Sequence, residues 1–221
     1  MEEFTKCYFK EIILMAEQTE QKKYDYDILV TTDFQGDFVT GVLKNDAALA
    51  VEDAVVAEID AHEGIIVDTR DTHDKETYAQ TVEGQLLPIH CVRGTEGWQN
   101  TPKVQAALDR KKNVIYIDKT NFGFIDWPKA LFGIENATQE QIMKMFASKK
   151  IRIRSIGTCT DICNMSAFVI LRAWFPMAEM EMVDGACAAS FEDKNTKTRD
   201  AAYVIVNSLL GKVVPTIYKG Q

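Results

Sequence analysis

Among the residues of this chain that could do chemistry, the cysteine in Gly157-Thr158-Cys159-Thr160-Asp161-Ile162-Cys163-Asn164 has the most suggestive setting. Cys163 stands between an apolar run and a helix-forming segment. A thiol at a helix N-terminus feels the positive end of the helix dipole, which lowers its pKa and favours the thiolate. Backbone N–H groups left without an intrahelical partner there can bind an oxyanion. Acyl transfer needs both. Cysteine is also one of the small residues most often buried for packing alone, so position leaves that reading open. Cys159 is the rival nucleophile, in the turn before the helix, while Cys7, Cys91 and Cys187 have no comparable setting.

Metal chemistry has its own candidates. In Asp68-Thr69-Arg70-Asp71-Thr72-His73 the alternate spacing lets Asp71 and His73 point to the same side of an extended backbone. His90, in Leu87-Pro88-Ile89-His90-Cys91-Val92-Arg93-Gly94, offers a second imidazole from a loop-rich stretch. Two histidines and one aspartate, with the remaining positions open to water, suit zinc, manganese or iron(II). Of the three histidines, His62 lies at a helix end and reads as structural. Asp33 closes the run Leu29-Val30-Thr31-Thr32, where a lone aspartate is most often a turn former or helix cap. Lys119 closes Val114-Ile115-Tyr116-Ile117-Asp118, and is either a surface charge, with Asp118 as its partner, or the cation for an anionic site.

The elements that must position these residues alternate. Apolar, β-branched runs at 28–30, 65–68, 114–117, 151–156, 180–183 and 213–217 read as strands. Helical spacing is visible over 46–62, 104–108, 139–146, 161–174 and 197–210, with Thr138 as an N-cap. Strands alternating with helices predict βαβ units: a three-layer α/β/α, doubly wound, mostly parallel six-stranded sheet of Rossmann-like type. The carboxyl ends of such strands share one edge, and ligands bind there where the strand order reverses. Asp33, Asp71, Lys119 and Cys163 all stand at or just beyond those ends.

A chain of 221 residues fits one domain, with no repeat, low-complexity tract or linker in view. The segment Thr5 to Gln18 has apolar residues near helical spacing and reads as an appended amphipathic helix, so residues 1–22 are expected to form an N-terminal helical extension and 23–221 the domain. A formal net charge of −8, without clustered Lys and Arg, argues against a nucleic-acid partner. No apolar stretch approaches the roughly 20 residues that span a bilayer, and Met1 to Lys10 lacks the apolar core of a secretory signal. Five irregularly spaced cysteines make no disulfide framework. These features fit a cytoplasmic protein with a small-molecule partner and no membrane contact, and homo-oligomer formation is left open.

Together the motifs resemble those of the isochorismatase-like cysteine hydrolases, and within them the nicotinamidases. Asp33 with Phe38, Asp71-x-His73, Pro88-x-His90-Cys91-Val92-x-Gly94-Thr95-x-Gly97, Lys119 with Phe122, and Gly157-x-x-Thr160-Asp161-x-Cys163 carry the likeness, from about Asp27 to Tyr218. The resemblance implies a catalytic triad of Asp33, Lys119 and Cys163, and metal ligands at Asp71, His73 and His90. It also implies a cis peptide between Thr158 and Cys159, turning the N–H groups of Cys159 and Cys163 toward the substrate oxygen. The implied reaction is hydrolysis of nicotinamide to nicotinate and ammonia through a Cys thioester, with zinc, manganese or iron gripping the pyridine nitrogen and Phe38 packing on the ring.

The pattern departs at Leu87, where nicotinamidases place a stacking Trp, so Leu87 is expected as an apolar wall and Phe124 or Trp98 as the aromatic partner. The stretch Asp74-Lys75-Glu76-Thr77-Tyr78 also lacks the usual Pro and Ser-Phe pattern. Another small amide or carbamoyl substrate, and a non-catalytic binding protein of the same fold, are the competing readings. A thiol redox site is disfavoured because Cys159 and Cys163 are not spaced as Cys-x-x-Cys.

Overall fold

The computed structural model of the chain describes residues 23–190 and 196–220. The Thr5–Gln18 segment, Cys7 and the 1–22 extension lie outside them. Each of the apolar runs forms a strand: β1 (Tyr26–Thr32), β2 (Ile65–Asp71), β3 (Val114–Lys119), β4 (Ile151–Thr158), β5 (Glu179–Ala188) and β6 (Lys212–Pro215). They pair in the order β3-β2-β1-β4-β5-β6, every pair parallel. The chain runs outward from β1 to β3, then returns to place β4 on the other side of β1. The switch point therefore lies between β1 and β4, where Asp33 and the Gly157–Cys163 turn emerge side by side.

Alternation along the strands sends successive side chains to opposite faces. Ile28, Val30, Val67, Ile151, Ile153, Met180 and Met182 enter one core. It is covered by α6 (Trp127–Phe132), α7 (Gln139–Phe146), α8 (Cys163–Trp174) and α9 (Thr196–Ser208). Leu29, Ile66, Ile156 and Val183 enter the other, under α2 (Asp46–Ala61) and α5 (Pro102–Asp109). Both faces are dry, which is why the strands read as near-continuous apolar runs. Asn45 caps α2, its side-chain oxygen accepting from the amides of Ala47 (3.0 Å) and Ala48 (3.4 Å). Its side-chain amide donates to the Ala189 carbonyl at 2.7 Å, fixing the helix start to the loop after β5. Thr138 and Gln141 form a capping box at the start of α7.

Four short helices were not visible as periodicity: α1 (Gly36–Val39), α3 (Lys75–Tyr78), α4 (Val82–Leu86) and α6. One or two turns hold too few apolar positions to make a pattern. Helix α8 begins at Cys163 and not at Asp161: the Ile162 backbone, at φ −122° and ψ −93°, is not helical, and the Asp161 carboxylate instead accepts from the Ser190 amide (2.8 Å) and hydroxyl (2.6 Å). Gly157 is required at the switch point. Its φ is 105°, and a Cβ there would strike the backbone of Thr32 on β1. Among the described residues no helix is long and apolar enough to cross a membrane.

The last strand stops at Pro215, although the apolar run continues to Ile217. Glu58, fully buried on α2, accepts from the Thr216 hydroxyl (2.7 Å) and the Ile217 amide (2.8 Å) through Oε1. Its Oε2 pairs with Arg154 on β4 at 2.8 Å. One carboxylate thus ties a helix, a central strand and the chain's last turn. Removing one partner of a buried ion pair leaves the other uncompensated, so Glu58→Ala should cost about 3–5 kcal/mol of stability. Urea unfolding of the variant beside the wild type measures it, and a loss within experimental error would show that the clip is idle.

Candidate active site

Three side chains from three strand ends meet at the buried carboxyl edge of the sheet. Asp33 leaves β1 in a turn with φ 49°, its amide donating to the Thr69 carbonyl at 3.0 Å. Lys119 is the last residue of β3, and Cys163 the first of α8. All are buried: Asp33 0%, Lys119 4% and Cys163 5% exposed. The Lys119 ammonium lies 2.7 Å from Asp33 Oδ2 and 3.8 Å from Cys163 Sγ. It also reaches Asp71 Oδ1 at 3.4 Å and donates to the Asn121 carbonyl at 3.0 Å. The second Asp33 oxygen accepts from the Thr69 hydroxyl at 2.9 Å. Asp118, the alternative partner for Lys119, is occupied by Arg70 at 2.7 Å and Arg93 at 2.5 Å.

Electrostatics assigns the resting protonation. Burial pushes the Asp33 carboxyl up to about 6, and outweighs the opposing pull of Lys119. For Lys119 burial disfavours the charge, but Asp33, Cys163 and Asp71 outweigh it and hold the ammonium protonated well above its ordinary range. Burial raises Cys163 well above an ordinary thiol, with Lys119 opposing and Asp33 and Asp71 adding to the rise. The helix terminus favours the thiolate, and burial works against it. A dipole effect confined to a helix's first turn is small beside desolvation in a site this dry. The thiol is thereby held toward its protonated form, beside the same ammonium that pairs with the Asp33 carboxylate.

The peptide between Thr158 and Cys159 is cis. The turn beyond it closes on the Cys159 carbonyl, which accepts from the amides of Ile162 (3.1 Å) and Asn164 (3.0 Å). The Thr160 amide donates to the Ala188 carbonyl at 2.8 Å, holding the turn to β5. Cys159 is itself buried, its thiol pushed up to about 12 chiefly by that burial. Its sulfur accepts from the Thr158 hydroxyl at 3.3 Å, whereas the sulfur that meets the Lys119 ammonium is that of Cys163.

Asp71, His73 and His90 converge beside Lys119. His73 Nε2 lies 3.0 Å and His90 Nε2 3.4 Å from Asp71 Oδ2. A fourth residue joins them: Glu83 on α4, whose carboxylate oxygens stand 4.0 Å from His73 Nε2 and 3.6 Å from His90 Nε2. The four ligand atoms lie within 4.8 Å of one another. Donors about 2.1 Å from a tetrahedral ion sit about 3.4 Å apart, close to these separations. The Nδ1 side of His90 is 3.0 Å from the Pro88 carbonyl, so Nδ1–H donates and Nε2 keeps its lone pair. That Nε2 is buried without a hydrogen-bond partner, which is how a metal-ligating imidazole stands. For Asp71, burial would raise the carboxyl, but Lys119 and the His73 imidazole 3.0 Å away overcome it and hold it below the usual range. The residues fit a divalent ion.

Glu83 escaped the sequence reading because it belongs to a five-residue helix with no periodic signal. Tyr78 did too. Its ring packs on His73 at 4.4 Å between centroids, and its hydroxyl lies 3.3 Å from His90 Nδ1. The sequence-expected substrate contacts divide. Phe38 sits edge-on to His90 at 5.2 Å, beside the cluster. Leu87 is half-buried at the end of α4. Phe124 packs edge-on against Trp127 at 5.5 Å. Trp98 is committed elsewhere, its indole N–H donating to the Thr72 hydroxyl at 2.8 Å and its face covered by the Arg70 guanidinium at 4.2 Å. His62 is structural, its Nε2 3.3 Å and 3.2 Å from the carbonyls of Asp27 and Ile65. Beside His73 a cavity of about 330 Å³ opens, lined by Thr72, Tyr78, Arg93, Thr120 and Asn121 among others.

No protein-family model and no curated protein sequence matches the chain. Solved structures do. A nicotinamidase from Bacillus subtilis superposes with a TM-score of 0.64 at 24% identity, over 85% of this chain and 98% of that one. The N-carbamoylsarcosine amidase of Thermoplasma acidophilum gives 0.60 at 16% identity, over 88% and 99%. A pyrazinamidase from Pyrococcus horikoshii, solved in complex with zinc, gives 0.56 at 18%, over 86% and 98%. At these identities what is shared is the fold.

If Glu83 completes an ion cradle, Glu83→Ala should weaken divalent-ion binding by at least the roughly 10–100-fold that loss of an outer-shell partner causes. Competition with a chromophoric chelator reads this, with exposed Glu76→Ala as control. Equal affinities for wild type and Glu83→Ala would remove Glu83 from the cradle.

Proposed function

We propose that this protein is a metal-dependent cysteine amidohydrolase of the isochorismatase-like kind that cleaves a small amide, with nicotinamide as the preferred substrate. The observation that carries the reading is the shared burial of the Cys163 sulfur, the Asp33 carboxylate and the Lys119 ammonium within 3.8 Å of that cation. Such a set has the parts of a thiol acyl-transfer site: nucleophile, base and electrostatic partner. The likeness in fold to a nicotinamidase and two other amidases supports it.

In the proposed mechanism Asp33 accepts the Cys163 proton as the sulfur attacks the amide carbonyl. This transfer moves negative charge from carboxylate to sulfur while the pocket's net charge is unchanged, and Lys119 faces both atoms. The N–H groups of Cys159 and Cys163 receive the carbonyl oxygen as it becomes anionic. Asp33 then returns its proton to the amide nitrogen, the C–N bond breaks, and ammonia leaves a thioester on Cys163. Asp33, again a carboxylate, takes a proton from water, whose oxygen displaces the sulfur to give the acid, and the proton returns to Cys163. Asp71, His73, Glu83 and His90 would hold a divalent ion, zinc being favoured over manganese or iron, which supplies a Lewis acid for a ring nitrogen of the substrate. Phe38 borders that position and Leu87 contributes an apolar edge.

A second substrate reading rests on Leu87, Trp98 and Phe124. With an aliphatic residue at 87, and the rings of Trp98 and Phe124 engaged by Arg70 and Trp127, aromatic stacking from that side is weak. A non-aromatic amide or carbamoyl compound would lose little by its absence.

Ammonia release from nicotinamide, pyrazinamide and N-carbamoyl amino acids separates the two, and no turnover of nicotinamide at millimolar concentration would exclude it as substrate. Cys163→Ala should lower kcat by about 10⁴-fold or more in either case. Because the base must be ionised, kcat/KM should fall as pH drops through about 6, the value to which burial raises Asp33. A flat profile from pH 5 to pH 7 would show that Asp33 is not the base.

A further inference from the structure

β1 stops pairing with β2 two residues before Asp71: the register between them ends at Thr32 opposite Thr69. On its other side Asp71 remains paired with Lys119 of β3. The N–H and C=O that Asp71 turns toward β1 would therefore be buried without partners, each at a substantial desolvation cost. The Gln35 side chain takes the place of the missing strand. Its Oε1 accepts from the Asp71 amide at 2.7 Å, and its Nε2 donates to the Asp71 carbonyl at 2.8 Å. The same Nε2 donates to the Trp98 carbonyl at 2.7 Å. Gln35 is fully buried, and lies two residues after Asp33 in the turn that carries it.

We propose that Gln35 is a positioning residue: its carboxamide, paired with both main-chain groups of Asp71, holds that carboxylate between the metal site and Lys119 and locks the base-bearing turn to the ion-bearing strand end. The inference rests on the reading of Asp71 as a metal ligand. The pairing needs one donor and one acceptor at the end of a two-carbon stem. Asn is a methylene too short, Glu has the acceptor without the donors, and Met fills the volume with neither. Outer-shell partners that orient a ligand govern ion affinity nearly as strongly as the ligands do.

The test is zinc affinity, by competition with a chromophoric chelator at a temperature well below unfolding, for wild type, Gln35→Met, Gln35→Glu and Glu58→Gln. Glu58 lies in the clip to the chain's last turn and serves as a control for destabilisation alone. The proposal expects both Gln35 variants to bind zinc about 10–100-fold more weakly, while Glu58→Gln lowers the melting temperature without changing affinity. Gln35→Glu retains the acceptor for the Asp71 amide, so it decides the matter if Gln35→Met does not fold. Wild-type affinity in a folded Gln35 variant would overturn the positioning role and leave the metal site standing. Failure of the wild type itself to bind zinc or manganese would instead overturn the metal reading, and this inference with it.

Discussion

A buried ammonium governs the architecture of the site. Lys119 is 4% exposed, and a charge so enclosed is tolerated only when paired and hydrogen-bonded. Its partners come from different strand ends: Asp33 after β1, Asp71 at the end of β2, and Cys163 at the start of α8 after β4. The sheet must therefore bring β1 to its centre, between β2 and β4, for the cation to be satisfied. The strand order, the glycine that lets β1 and β4 approach and the polar turn after β4 all serve that convergence.

The same cation joins two chemistries that would otherwise be separate. On one side it faces the carboxylate and thiol proposed to exchange a proton; on the other it reaches an oxygen of Asp71, whose second oxygen faces the two imidazoles. Its field keeps Asp71 ionised, as its proposed role of metal ligand requires, while burial lifts Asp33 toward the range where the proposed base can also return a proton. Two aspartates near one lysine are driven apart in acidity by their surroundings. Asp33 receives a single hydroxyl donor and one ammonium contact, whereas Asp71 adds both imidazoles.

What was legible in the sequence follows from the length scale of each signal. The six strands were readable because both faces of the sheet are covered, so their apolar runs are continuous; α2, α7, α8 and α9 were readable because several turns make a period. Asp33, Asp71, Lys119 and Cys163 stood out as polar residues abutting those runs. Glu83 and Tyr78 did not, since each reaches the site from a helix of five residues or fewer, inside a stretch whose composition is that of a loop. Gln35 stood in plain view between Asp33 and Phe38, but its partners are backbone groups of residues remote in the chain, which no spacing rule anticipates. The strong desolvation of Cys163 was hidden for another reason: it depends on everything packed around the sulfur, and local sequence reports only the helix start.

The crossover at the sheet's midline also sets an order in time. All four residues of the ion cradle precede Cys91, whereas Cys163 lies on the far side of the return connection, beyond β3 and two further helices. A chain emerging from the ribosome therefore exposes the residues proposed to hold the ion well before the proposed nucleophile. The sulfur can meet its carboxylate only after β4 has docked against β1. Assembly of the proposed cradle and placement of the thiol are thus separable by length of chain, and a fragment ending before β4 would contain all four candidate ligands and lack Cys163.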